Sequence, residues 1–209
     1  HMHICHFNSS SKSDIARCAG LIAKAQAQGL PITMEAYPYG TGSTVLAAAF
    51  FSDPEFEARN GTGYDSVQRV TDGRRFRDRE ELLAAQKEEP STLVLWHVLD
   101  IENNQHHRDL LDMAVLYPGG AIASDAMPWT LSDGKAYTGD AWPLPEDATS
   151  HPRSAGCFTR FIREWVRERR TISLMEGIRK CALIPAEILS ASTPAMRNKG
   201  RLQAGADAD

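Results

Sequence analysis

The sequence predicts an α/β fold, and three observations predict it. Short apolar stretches at 2–6, 32–36 and 121–125 have strand length, and segments with helical periodicity follow them. Gly29 with Pro31, and the run Pro118-Gly119-Gly120, punctuate the passage from helix back to strand. The composition, 42% apolar and 24% charged, is that of an ordinary globular chain. Strand–helix alternation implies parallel strands joined by right-handed crossovers. About three βα units are countable, with an insertion after the second strand. A complete eight-fold barrel takes about 250 residues. The 209 residues here therefore make either a small open sheet or part of a barrel.

The elements follow in order. Residues 2–6 form a strand, and 8–13 a polar turn in which Ser13 or Asp14 can cap a helix. Ile15, Cys18, Ala19, Ile22 and Ala25 then recur at helical spacing as far as Gln28. The second strand, 32–36, closes on Tyr37-Pro38-Tyr39 and a Gly-rich run, 40–44, that reads as flexible. The insertion holds a short helix near 53–59, a Gly- and Arg-rich loop at 60–77, a helix at 78–88 and an apolar stretch at 92–99. Asn103 or Asn104 caps a helix with Leu110, Leu111, Ala114 and Val115 on one face. After the third strand, a loop rich in Pro and Trp runs to Pro152. Helices are expected at 155–169 and 173–183, then a turn at Pro185 into a short helix.

Charge and cysteine usage narrow the function classes. Lys and Arg total 23 against 27 Asp and Glu, a net charge of −4. A mildly acidic chain with no basic stripe is a poor partner for nucleic acid or an anionic membrane. The longest apolar runs, 45–51 and 93–99, are far too short to span a bilayer. No signal peptide is visible. The four cysteines form no CxxC pair and are read as reduced, which points to the cytoplasm. His1-Met2 resembles a cloning scar, and 200–209 reads as a turn about to enter a strand.

Residues that could carry chemistry stand at strand ends, where α/β folds gather function. Three such ends carry a polar side chain: His6, Tyr37 and Asp125. His6 can present a neutral imidazole to a metal. Asp125 can hold a metal with one oxygen and take a proton from its water with the other. Each residue alone has a plainer reading, as a hydrogen-bonded strand-end histidine or a turn-forming aspartate.

Five blocks occur in sequence: Ile4-Cys-His-Phe-Asn8, Met34-Glu-Ala-Tyr-Pro-Tyr-Gly-Thr-Gly-Ser-Thr44, Ile122-Ala-Ser-Asp-Ala-Met-Pro128, His151-Pro-Arg-Ser-Ala-Gly-Cys-Phe158, and Gly200-Arg201 with Gly205-Ala-Asp207. Together they resemble the amidohydrolase superfamily, most closely its N-acyl-D-amino-acid deacylase branch, D-aminoacylase included. The resemblance covers nearly the whole chain and is weakest across 45–100. It implies the carboxyl-terminal portion of a metal-dependent (β/α)8 TIM barrel over 1–199. Residues 41–102 would be an insertion acting as a lid, and 200–209 the start of a flanking β segment.

By that resemblance His6 is a metal ligand, and Asp125 is both a metal ligand and the catalytic base. Tyr37, Ser43, His151 and Arg153 match substrate-binding positions. The implied cofactor is zinc or a similar divalent ion. The implied reaction is hydrolysis of a linear amide, in an N-acyl-D-amino acid, by metal-activated water. The alternatives are a cyclic amidase of the dihydroorotase or hydantoinase kind, and a non-catalytic packing module. The family's first strand carries a His-x-His pair. His1-Met2-His3 has that spacing but lies on the same strand as His6, and is set aside as a decoy. With the other ligands absent, the chain alone is expected to bind zinc weakly, to lack turnover, and to associate through its open strands or with the missing barrel half.

Other residues have structural readings. His97 lies in an apolar stretch and reads as a half-buried packing residue. The run 40–44 is not a nucleophile elbow and lacks the Gly-Lys of a Walker loop. Arg160, Arg163, Arg167, Arg169 and Arg170 alternate with Glu164 and Glu168, as on an ion-paired exposed face.

Overall fold

Three parallel strands and a separate antiparallel sheet make up the β structure of the computed structural model, which describes residues 1–208. The strands are β1 (Met2–Ile4), β2 (Ile32–Ala36), β3 (Thr41–Val45), β4 (Val67–Arg69), β5 (Leu93–His97) and β6 (Ala121–Ile122). The helices are α1 (Phe7–Ser11), α2 (Ile15–Ala27), α3 (Phe56–Asn60), α4 (Arg79–Glu88), α5 (Gln105–Val115), α6 (Arg153–Phe161), α7 (Leu174–Cys181) and α8 (Leu183–Leu189). The chain divides into two units. One holds 1–38, 109–125 and 156 onward; the other holds 39–108 and 126–155.

The first unit is built on the parallel order β1-β2-β6. His3 pairs with Thr33 and Ile4 with Met34, while Glu35 and Ala36 pair with Ala121 and Ile122. The period of two puts Ile4, Met34 and Ala36 on one face. Met34 and Ala36 are buried together with Phe7, and with Ile15, Ala19 and Ile22 of α2, the helical residues the spacing marked out. Gly120, the last residue before β6, lies so close to Met34 that a Cβ there would stand 2.6 Å from its sulfur. Lys180 is buried and donates to the carbonyls of Tyr117 and Gly120 at 2.6 and 2.9 Å, tying α7 to the turn that launches β6. Burial lowers its pKa to about 8.

The second unit is an antiparallel sheet, β3-β5-β4. The Gly-rich run expected to be flexible is here a strand. Thr41 to Val45 pair in full register with His97 to Leu93, and three of the five residues are β-branched, which suits a pleated surface. Gly40 is required by close packing, since a Cβ there would lie 2.4 Å from the Leu99 carbonyl oxygen. Phe51, Phe56, Tyr64 and Trp96 form its aromatic core. Asp78 caps α4 by accepting from the Glu81 amide at 2.9 Å.

Several expected boundaries move. The third strand is only two residues long. The Ala123 amide still donates to Ala36 at 3.1 Å, but Asp125 takes φ +47° and turns the chain away. The long helix expected at 155–169 is α6 followed by a π-helical stretch, Ile162–Glu168. Pro185 lies inside the first turn of α8, where a missing N–H costs no helical hydrogen bond. No helix among the described residues is long and apolar enough to cross a membrane.

Candidate active site

The carboxyl ends of β1, β2 and β6 carry His6, Tyr37 and Asp125, all within the first unit. His6 and Asp125 have left-handed backbones, with φ of +37° and +47°. Such a conformation costs a non-glycine residue about 1–2 kcal/mol, and it gathers at functional positions. The His6 amide donates to Glu35 Oε1 at 2.5 Å, which anchors the turn.

The His6 ring is oriented by its neighbours. Ser10 Oγ donates to the Cys5 carbonyl at 3.4 Å and lies 2.8 Å from His6 Nδ1. Either group can donate in this pair; the tautomer with the ring proton on Nδ1 leaves Nε2 its lone pair. An imidazole held in this way suits a divalent metal. Asp125 is half-buried. Burial first, then the charges of Glu35 and Asp125, push the Cys5 thiol above its ordinary pKa, so both carboxylates bear on the ground around Cys5. Tyr37 is fully buried, and its amide donates to Asn8 Oδ1 at 3.3 Å.

Ser43, His151 and Arg153 belong to the second unit. Ser43 Oγ donates across the sheet to the Val94 carbonyl at 2.9 Å. His151 is buried, with Nε2 2.9 Å from the Thr41 carbonyl and Nδ1 accepting from the Arg153 amide at 2.9 Å. Its ring stands edge-on to Tyr39 at 5.4 Å. Arg153 is itself buried at the start of α6. His97 is half-buried as expected, held by Thr41 Oγ1 at 3.0 Å and Gln68 Oε1 at 2.8 Å, and burial lowers its pKa. Arg160 and Arg163 pair with Glu164 as the alternating charges suggested.

Sequence reasoning passed over Glu35. Its Oε2 meets His3 Nε2 at 2.5 Å, and the Cys5 sulfur completes a cluster whose ligand atoms all lie within 4.8 Å of one another. The signal was present: His3 lies on β1 beside Thr33, Glu35 follows on the same face of β2, and Cys5 comes directly after β1. A cavity of about 420 Å³ opens beside this face, lined by His3, Glu35, Ala121, Ala123, Pro185 and Leu189 among others.

The chain can now be compared with known proteins. N-acyl-D-glutamate deacylase of Alcaligenes xylosoxydans xylosoxydans is 38% identical over 66 residues, 32% of this chain and 12% of that protein. The crystal structure of N-acyl-D-glutamate deacylase from Bordetella bronchiseptica, complexed with zinc and a phosphonate mimic of the tetrahedral intermediate, matches with a TM-score of 0.63. Its identity is 23%, across 99% of this chain and 39% of that one. A D-aminoacylase structure matches with a TM-score of 0.65 at 18% identity, across 99% of this chain and 38% of that one. The α/β fold is thus shared, and the chain spans well under half the length of these relatives. The amidohydrolase family model matches residues 4–209, so the chain belongs to the amidohydrolase family.

Proposed function

We propose that this chain supplies the last three βα units of a metal-dependent (β/α)8 hydrolase that deacylates N-acyl-D-amino acids. The observation that carries the reading is the carboxyl edge of the parallel sheet, where His6 and Asp125 hold left-handed turns. The donor set fits a divalent ion such as zinc: an imidazole whose Nδ1 is held against Ser10, and a half-buried carboxylate. The relatives that act on N-acyl-D-glutamate support the substrate class.

In this mechanism His6 and Asp125 would hold the ion, the remaining ligands coming from elsewhere in the barrel. Zinc, when bound, would supply Lewis acidity and an acidified water. Asp125 accepts the proton of the attacking water and passes it to the departing amine, a poor leaving group until protonated. Tyr37 donates its hydroxyl to the acyl oxygen as negative charge gathers there. Ser43, His151 and Arg153 are the further proposed substrate contacts, Arg153 suited to a two-pronged grip on a carboxylate. Residues 41–102 act as a lid that excludes water. Four free cysteines suit a reducing compartment, and the cytoplasm is the proposed location.

The test uses a chain of the relatives' length that carries this segment, assayed on N-acyl-D-amino acids, their L enantiomers and cyclic imides. Release of free D-amino acid is the expected outcome. Preference for cyclic imides moves the protein to the cyclic amidases, and equal rates on both enantiomers contradict the deacylase assignment.

A further inference from the structure

We propose that His3, Cys5 and Glu35 form a second divalent-cation site, of the zinc type, distinct from the pair His6 and Asp125. The three contribute an imidazole nitrogen, a thiol sulfur and a carboxylate oxygen, within 4.8 Å of one another. Nitrogen, sulfur and oxygen donors in a set of three, with a fourth position left for water, is what zinc takes up in proteins.

Two of the ligands are already oriented. Thr33 Oγ1 donates to the Met2 carbonyl at 3.5 Å and lies 2.8 Å from His3 Nδ1. The same hydroxyl lies 2.8 Å from His1 Nε2, and His3 turns its Nε2 to Glu35. Glu35 has one oxygen, Oε1, fixed by the His6 amide, which leaves Oε2 directed at His3. The arrangement repeats that of His6 and Ser10: a hydroxyl stands 2.8 Å from the Nδ1 of each histidine. Such outer partners are characteristic of metal-binding imidazoles. Cys5 is exposed and able to swing onto an ion. On coordination, metal–nitrogen, metal–sulfur and metal–oxygen bonds form. The proton between His3 and Glu35 and the Cys5 thiol proton pass to buffer.

The experiment titrates the 209-residue chain with cobalt(II), in a non-thiol reductant. A cobalt–thiolate bond shows as a near-ultraviolet charge-transfer band, and zinc should displace it. Cys5→Ser should abolish the band, while Cys18→Ser and Cys181→Ser keep it. Thr33→Val should weaken binding about tenfold, the usual loss when a ligand histidine loses its outer partner. His1→Ala, His6→Asn and Asp125→Asn should leave the band in place. Cys5 is exposed, so its serine variant does not threaten the fold, and circular dichroism confirms this for each variant. The proposal is overturned if wild type shows no band, if the band survives Cys5→Ser, or if it disappears with His1→Ala, His6→Asn or Asp125→Asn. None of these outcomes touches the deacylase reading, which is decided by turnover on N-acyl-D-amino acids.

Discussion

The parallel and antiparallel units use polar side chains in opposite ways. In the antiparallel unit Ser43, His97 and His151 bond across the sheet or to nearby main chain. In the parallel unit Glu35 bonds to His3 and to the His6 amide, Thr33 and Ser10 stand against the two rings, and His6 and Asp125 have left-handed backbones. The first pattern satisfies buried donors and acceptors, which is expensive to omit. The second orients side chains at the strand end. Residues of the same types thus fasten a sheet in one place and, in the proposed function, supply the reactive edge in the other.

The largest effect should come from that edge. In a chain of the relatives' length, Asp125→Asn should lower kcat by roughly 10²–10⁴-fold, the usual worth of general acid–base catalysis. Fold and most of the bound metal should remain, as read by circular dichroism and elemental analysis. Turnover within a few-fold of wild type would remove the parallel edge from the chemistry.

Tyr37→Phe sharpens the contrast, because this residue is wholly buried in the parallel unit. If its hydroxyl steadies the developing oxyanion, kcat should fall about 10²-fold with KM little changed. A lower melting temperature with unaltered kcat would class Tyr37 with the fastening residues.

Gly40→Ala probes the antiparallel unit. A methyl group 2.4 Å from the Leu99 carbonyl oxygen must push backbone aside. The expected cost is about 1–3 kcal/mol. Hydrogen exchange should show lost protection in β3 and β5 and little change in β1 and β2. Uniform loss across both sheets would mean that the units unfold together.

The smallest effect concerns acid. Burial, with the charge of Arg75, holds His97 below its ordinary value of 6.5, against the weaker opposing pull of Glu102 and Asp100. The folded form therefore binds fewer protons than the unfolded one near and below that pH. Stability should be full above pH 6.5 and decline as pH falls below it. His97→Gln should flatten that part of the melting-temperature profile, and an unchanged slope would assign the acid sensitivity to other groups.

Local pattern alone determined a good deal of this protein. The helix of Ile15, Ala19 and Ile22, the stops at Gly29 and Gly120, and the parallel pairing of three strands follow from periodicity and turn chemistry, which act over a few residues. The place of Tyr37 directly after β2 follows too, whereas the strands expected at 2–6 and 121–125 stop at Ile4 and Ile122 and leave His6 and Asp125 in the turns beyond. The tertiary structure alone decided the rest. The run Thr41–Val45 is a strand because β5, some fifty residues later, offers an edge; a Gly-rich segment carries no such instruction by itself. The fit of Gly40 against Leu99 and the burial of Lys180 on the carbonyls of Tyr117 and Gly120 likewise depend on distant partners. His3 looked like a misplaced His-x-His, and only the register with β2 set it against Glu35 and Cys5. Strand register is a long-range property: it fixes which side chains face one another, and no window of sequence contains both partners.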